Sequence, residues 1–161
     1  MPTWAEICED KSLRDLPFKI EQDRWGRIIM SPVKPDHSEF QAKIAHALMS
    51  LLPGWKVMVE CAIDTTEGVR AADVAAMTAE ARDRYRGAAS LPVSPEICVE
   101  VLSESNTDEE MVEKRRLLAE KGCVEFWTCG PNGLMTFRAA KDGAALVQSQ
   151  ICPQFPNKVE L

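Results

Sequence analysis

Two acids and a lysine stand where the pattern of apolar residues calls for core. The clearest is Glu100, in the middle of Pro95-Glu96-Ile97-Cys98-Val99-Glu100-Val101-Leu102-Ser103. Ile97, Val99 and Val101 fall on one face of this run and Cys98 and Leu102 on the other, the pattern of a strand covered on both sides. Glu100 shares the second face. A carboxylate desolvated in this way costs several kcal/mol unless a cation, a metal or strong donors compensate it. A second acid, Asp73, heads another short apolar run, Asp73-Val74-Ala75-Ala76-Met77. The lysine is Lys114, on a helix announced by Thr107-Asp108-Glu109-Glu110, a capping box with acids in its first turn. At about 100° per residue Lys114 shares a face with Met111, Leu117 and Leu118, while Glu113, Arg116 and Glu120 point away.

Two acids on neighbouring strands with a core-directed lysine suit metal-assisted phosphodiester hydrolysis. Carboxylates with open coordination positions bind Mg²⁺ or Mn²⁺. An ion held there polarises a phosphodiester and acidifies water, and the ammonium stabilises charge on the nucleophile or phosphate. The same residues also admit a plainly structural role: a buried Glu100–Lys114 ion pair, or a lysine that snorkels its ammonium to solvent.

Other polar residues have weaker claims. Glu60, an acid among apolar residues in Val57-Met58-Val59-Glu60-Cys61-Ala62-Ile63, ranks third as a metal ligand; alternatively it is a strand-end charge paired with Arg70 or a lysine. His37 projects toward the apolar side of a helix near Ile44 and Leu48, to contact phosphate, support the site, or serve structure alone. Glu39 and Gln41 flank that face. Arg82, Arg84 and Arg86 crowd one connection and Arg115 follows Lys114, as phosphate contacts or as solvated surface charge. His46 falls off the apolar face, and Trp55 and Trp127 read as core rather than as a base-stacking platform.

A chain of 161 residues fits a single domain spanning 1–161. Its net charge of −6 argues against nonspecific DNA binding, although a global balance can hide a local basic patch. The six cysteines form no Cys-x-x-Cys pair, so they read as reduced, buried thiols rather than zinc ligands. The first residues lack the regions of a signal peptide and no apolar run approaches membrane-spanning length; the expectation is a cytoplasmic protein.

The elements that must position these residues follow in α/β order. A helical turn is expected over Thr3–Cys8, and a hairpin with strands Phe18–Gln22 and Arg27–Met30. An amphipathic helix follows over Ser38–Leu52, then strands at Lys56–Ile63, Ala72–Met77 and Glu96–Leu102. The capped helix runs from Asp108 to about Lys121 and stops at Gly122. Strands at Phe126–Cys129, Leu134–Arg138 and Ala145–Gln148 complete the chain, and Ala79–Ser94 is its longest irregular stretch.

Taken together, Leu16-Pro17-Phe18-Lys19-Ile20-Glu21, Met30-Ser31-Pro32 with His37, Glu60-Cys61-Ala62-Ile63, Ala72-Asp73-Val74 and Pro95 to Ser103 resemble the PD-(D/E)XK nuclease superfamily, in its Uma2 branch of restriction-endonuclease-like proteins. Lys114 and Gly122-Cys123-Val124-Glu125-Phe126-Trp127 continue the likeness, which spans about Thr3 to Lys158. The resemblance implies a restriction-endonuclease-like core, a mixed β-sheet flanked by helices, with β-hairpins toward both termini. It implies a Mg²⁺- or Mn²⁺-dependent endonuclease acting on DNA, with Asp73 and Glu100 as metal ligands and Lys114 as the catalytic cation. The superfamily lysine normally lies two positions after the second acid, where this chain has Leu102; in the Uma2 branch a helical lysine takes over, and Lys114 occupies that place. The proline usual before the first acid is Ala72. In the wider superfamily an acid of the first helix assists the metal, which makes Glu39 a candidate. Cutting both strands of a duplex calls for two copies, hence a homodimer. The other reading is a nuclease-fold module that binds DNA or a protein without cleaving.

Overall fold

Eight strands form one mixed sheet with helices on both faces in the computed structural model, which describes residues 1–161. In chain order the elements are α1 (Trp4–Glu9), a 3₁₀ turn (Lys11–Leu13), β1 (Phe18–Asp23), β2 (Ile28–Pro32), α2 (Pro35–Leu51), β3 (Trp55–Thr65) and β4 (Gly68–Thr78). There follow α3 (Ala79–Arg84), β5 (Ile97–Val101), α4 (Asp108–Glu120), β6 (Glu125–Cys129), β7 (Met135–Ala139) and β8 (Ala145–Leu146). No helix is long and apolar enough to cross a membrane.

The order β2-β1-β4-β5-β6-β7-β8, with β3 on the far edge of β4, contains a fork. Along one edge β4 pairs continuously with β3 from Trp55↔Thr78 to Thr65↔Gly68, except for the position where Glu60 would face Asp73. Along the other edge it is shared: β1 pairs at Gln22↔Val69 and Asp23↔Gly68, and β5 at Val74↔Val99 through Ala76↔Ile97. Between those contacts Arg70 to Asp73 have no strand partner on that edge. Gly68 permits the approach of β1, because a Cβ there would lie 2.2 Å from the Gln22 carbonyl oxygen, and its φ of +97° suits glycine. The parallel pair β5–β6 is joined by α4 as a crossover.

Two apolar layers hold the sheet. On one face Phe40, Ile44, Ala45 and Leu48 of α2 pack on Val74, Ala76, Ile97, Val99, Val101 and Trp127, with Trp127 against Phe137 and Phe155 at ring-centroid distances of 4.9 and 4.8 Å. On the other face Leu118 and Cys123 cover Cys61, Ile63, Ala75, Cys98 and Phe126. Burying β5 on both faces explains its both-parity apolar pattern.

Several boundaries differ from the sequence reading. Helix α2 begins at Pro35, not Ser38, since proline suits the first helical position, and His37 thereby falls in the first turn. Strand β4 extends back to Gly68, so Asp73 lies mid-strand rather than at the head of a run. Strand β3 reaches from Trp55 to Thr65. The Ala79–Ser94 connection opens with α3, capped by the Thr78 hydroxyl, and β8 stops at Leu146. Five of the six cysteines are buried, and all six are free thiols.

Candidate active site

Strand register brings the two acids together. Val74↔Val99 extends by one step to place Asp73 beside Glu100, and both are desolvated, at 1 % and 5 % exposure. The cations come from two directions. Lys19 of β1 sets its Nζ 2.7 Å from Asp73 Oδ1 and 3.3 Å from Glu100 Oε2. Lys114 of α4, 7 % exposed, sets its Nζ 2.9 Å from Glu100 Oε1 and 2.9 Å from Glu21 Oε1.

The fork in the sheet makes room for these side chains and they complete its hydrogen bonding. The Ala71 N–H, with no strand partner, donates to Glu21 Oε1 at 2.8 Å, and the Ala71 carbonyl accepts from Lys114 Nζ at 2.8 Å. Asp73 Oδ2 accepts from the Val101 N–H at 2.7 Å, tying the acid to the end of β5. These contacts hold both lysines and both acids without freedom to turn.

A second group meets Asp73 from the β3 side. His37 Nε2 lies 3.4 Å from Asp73 Oδ1, buried and without a hydrogen-bond partner. Glu60 is a non-glycine residue with φ of +50° inside a strand, at the one gap in the β3–β4 ladder. Gln41 of α2 holds it there: its side-chain amide donates at 2.7 Å to Glu60 Oε1 and at 2.7 Å to the Asp73 carbonyl. The distortion carries through both strands. Met58, Cys61 and Ile63 all pack toward α4, as do Ala72, Ala75 and Met77, so the two-residue alternation changes phase at Glu60 and Asp73. Backbone held in this region costs of order 1–3 kcal/mol and collects at functional sites.

The electrostatics divide the acids. For Asp73, burial pushes its acidity down, but the His37 contact and the Lys19 and Lys114 charges prevail and hold it well below the usual carboxylate range. Glu100 is shifted the other way, by burial and by the Asp73 charge, against the pull of both lysines. Glu21 is held low: burial opposes, but Lys114 and Lys19 outweigh it. Glu60 is raised, chiefly by desolvation. Burial disfavours a charged Lys19, yet Glu100, Asp73 and Glu21 hold it firmly protonated. His37 is raised by its contact with Asp73.

These groups line a cleft of about 310 Å³, with Ser103, Asn106, Glu110 and Glu113 toward its rim, and Lys19 separates it from a shallower hollow that includes Glu60. Four carboxylates (Glu21, Glu60, Asp73, Glu100) face two ammoniums, which leaves an excess of two negative charges when His37 is neutral. Ligand atoms of His37, Glu60 and Asp73 lie within 4.8 Å of one another. Hard oxygens, an unpartnered ring nitrogen and a surplus of two negative charges fit a divalent cation.

Of the remaining expected residues only Arg70 reaches the cleft. Glu39 is exposed on the outer side of α2, 3.8 Å from Lys43, because one helical step from Phe40 and two from His37 turn it to solvent. Arg70 lines the cleft edge, donating to the Gln22 carbonyl at 2.8 Å rather than pairing with Glu60. Arg84 and Arg86 are exposed and paired with Glu80 and Asp83, and Arg82 lies on α3 away from the cleft. Arg82 and Arg84, two apart on α3, turn to different sides of it, and Arg86 lies in the turn beyond its end. Arg115 turns to the Ala140 carbonyl, on the side of α4 away from Asp73. Lys19, Glu21 and Gln41 escape a reading of the sequence; the signal for the first two is a pair of opposite charges two residues apart on one strand, which places them on one face.

Residues 14–159 match the Uma2 family, described as "Putative restriction endonuclease". Among solved structures the chain is similar to "a putative nuclease belonging to DUF820 from Anabaena variabilis ATCC 29413", with a TM-score of 0.67 and 16 % identity over 88 % of this chain and 82 % of that one. No curated protein matches.

Proposed function

This chain belongs to the Uma2 family, and from that premise we propose that it is a metal-dependent endonuclease that hydrolyses phosphodiester bonds in DNA. The observation that carries the reading is the buried Asp73–Glu100 pair with an ammonium on either side, open to a cleft. Asp73, Glu100 and Glu60, with His37 beside them, would hold Mg²⁺ or Mn²⁺, which when bound supplies Lewis-acid polarisation of the phosphate and an acidified water.

The protein's own residues have separable tasks. Lys114, fixed by Glu21, Glu100 and the Ala71 carbonyl, offers a preorganised positive charge to the negative charge that builds up on the phosphate oxygens as water adds and the ester bond breaks. It fills the role that a lysine at position 102 would have. Lys19 neutralises Asp73 and Glu100 and keeps two adjacent carboxylates compatible with folding. The Val101 N–H fixes the orientation of Asp73. Arg70, at the cleft edge, is the arginine placed to meet a phosphate of the substrate.

Cleavage of both strands of a duplex by so small a site calls for two copies, so the active species is a homodimer in the cytoplasm. The test is cleavage of supercoiled plasmid with Mg²⁺ or Mn²⁺. Asp73→Asn is expected to lose roughly a hundredfold or more in rate with its fold intact. Wild-type protein that leaves DNA uncut with either ion, yet binds it, would select the second reading, a non-cleaving DNA-binding module. One observation favours that second reading: Glu110 and Glu113 place negative charge at the rim, and both lysines are already satisfied internally.

A further inference from the structure

We propose that strand β2 is the seam at which two copies of this chain join, antiparallel and two-fold about Met30, and that the seam carries Arg27 of each copy to the mouth of the other's cleft. The inference rests on the nuclease reading for the use of the pair, not for its formation.

Of the sheet's outer edges only β2 is unguarded. Strand β3 carries Lys56, Glu60 and Asp64, is irregular at Glu60, and is blocked by Leu91, whose N–H donates to the Ala62 carbonyl and whose carbonyl accepts from the Asp64 N–H, each at 2.9 Å. Strand β8 is two residues long. Strand β2 is Ile28-Ile29-Met30-Ser31-Pro32, without a charged side chain, and every residue after Ile28 is exposed.

The open hydrogen-bonding groups of β2 match their own two-fold image. The Asp23 N–H donates to the Arg27 carbonyl at 3.0 Å, so by alternation residues 27, 29 and 31 turn their backbone groups to β1, while Ile28, Met30 and Pro32 turn theirs outward. Pro32 agrees with this phase, because its nitrogen has no proton to donate and faces away from β1. A second β2 laid antiparallel with Met30 on the axis overlaps all five residues of the strand. The two Met30 residues then exchange N–H···O=C bonds, and each Ile28 N–H meets the Pro32 carbonyl of the other copy. The face away from the cleft becomes apolar across the axis, since Phe18 pairs with Pro32 and Ile20 with Met30, and both Phe18 and Met30 are exposed in the single chain. An edge that complements itself in hydrogen bonds and in apolar surface closes into a two-fold dimer.

The cleft face gives the pair its use. Ile29, Ser31 and Val33 line the cleft, and this register sets Ile29 of the second copy opposite Ser31 and its Arg27 opposite Val33. The axis stands perpendicular to the sheet, so both clefts open on one side, toward a single duplex. Arg27 is exposed, with Asp23 at 2.7 Å and the Trp25 ring as its contacts, and a surface pair of this kind is readily exchanged. It brings positive charge to a rim made negative by Glu110 and Glu113.

The experiment is sedimentation velocity over a dilution series reaching tens of micromolar, with amide exchange of the wild type at both ends of the series and duplex binding by fluorescence anisotropy. Expected are a reversible dimer and, with no variant needed, Ile28 and Met30 amides that are protected in the dimer and exchange freely on dilution. Met30→Lys sets two ammoniums against each other on the axis and should raise the dimer Kd about tenfold or more, with an unchanged circular dichroism spectrum because the side chain is half exposed. Met30→Pro, which deletes an outward N–H and none bonded within the chain, should weaken the dimer likewise. Arg27→Ala should weaken duplex binding several-fold in the dimer and not at all in the Met30→Lys monomer. A monomer at tens of micromolar, a dimer whose Kd ignores both Met30 variants, or Ile28 and Met30 amides that exchange alike in both states overturns the seam. An Arg27→Ala loss of equal size in the monomer, or none in the dimer, overturns the shared cleft. The nuclease reading fails separately: a dimer joined at β2 that leaves plasmid uncut with Mg²⁺ and with Mn²⁺ removes the enzyme and leaves the seam, whereas a monomer that cuts removes the seam and leaves the enzyme.

Discussion

Replacing Lys114 by methionine keeps the length and apolar stem of the side chain and deletes one buried charge. The ammonium makes two ion contacts at 2.9 Å, to Glu21 and Glu100, and donates to the Ala71 carbonyl at 2.8 Å. Breaking a buried pair by removing one partner costs about 3–5 kcal/mol. Two features reduce the loss: Lys19 still lies 3.3 Å from Glu100, and the thioether can pack beside Met111 and Leu117, which share its helix face. A net destabilisation of about 3 kcal/mol is expected, which at roughly 2–4 °C per kcal/mol for a chain of this size lowers Tm by about 6–12 °C. The assay is thermal unfolding followed by circular dichroism, with plasmid cleavage on the same preparations below the lower Tm. Arg116→Met is the control: its partners Glu113 and Glu120 are on the solvent side, so both Tm and cleavage should stay at wild-type values. Adding Glu21→Gln to Lys114→Met should recover part of the lost Tm, since the double variant no longer leaves Glu21 unpaired. A Lys114→Met melting point within 1 °C of wild type would refute the claim that this ammonium holds the fork, and unchanged cleavage would refute its catalytic role.

Two further outcomes follow from other parts of the fold. Glu125, 2 % exposed, accepts from Trp127 Nε1, the Ser149 hydroxyl and the Gln150 and Ile151 N–H groups, so Glu125→Gln, which turns one acceptor into a donor, should cost about 2–4 kcal/mol and make residues 149–161 the first site of limited proteolysis. The Asp73 contact raises the pKa of His37 in the folded protein, so its stabilising contribution is complete below the unfolded value of about 6.5 and fades as pH rises through the folded value. In chelator-containing buffer the stability advantage of wild type over His37→Gln, read by chemical denaturation, should therefore shrink as pH rises above about 6.5, and an advantage that grows with pH would be contrary to the assignment.

What could be read from the sequence depended on how local the signal was. Strand β5 and helix α4 are legible because each is specified by its own residues: apolar side chains on both parities around Glu100, and a capping box at Thr107 followed by a single apolar stripe that includes Lys114. Asp73 and Glu100 are adjacent in space because β4 and β5 run antiparallel, a register set by the whole sheet, and resemblance to a nuclease family supplied that pairing before geometry could. Lys19 and Glu21 are hidden by the opposite effect. On an outer hairpin, alternating charges ordinarily face water; here they face the fork, because β1 leaves β4 after two residue pairs. Glu60 defeats a two-residue period altogether, since the period is broken at that residue. For Arg84 and Arg86 the sequence left phosphate contact and solvated charge open, and their exposed pairs with Glu80 and Asp83 are of the second kind.

The left-handed backbone at Glu60 bears on how this protein would respond to selection in the laboratory. Glycine at that position would relieve most of the strain and asparagine part of it, each worth of order 1 kcal/mol to the folded state. A library screened for heat resistance alone would therefore enrich changes at codon 60 and discard the carboxylate that the distorted strand exists to present. Screens that combine heating with a metal-binding readout would retain it. The frequency of substitution at this one codon, with and without that second criterion, reports how far robustness and activity oppose each other in this fold.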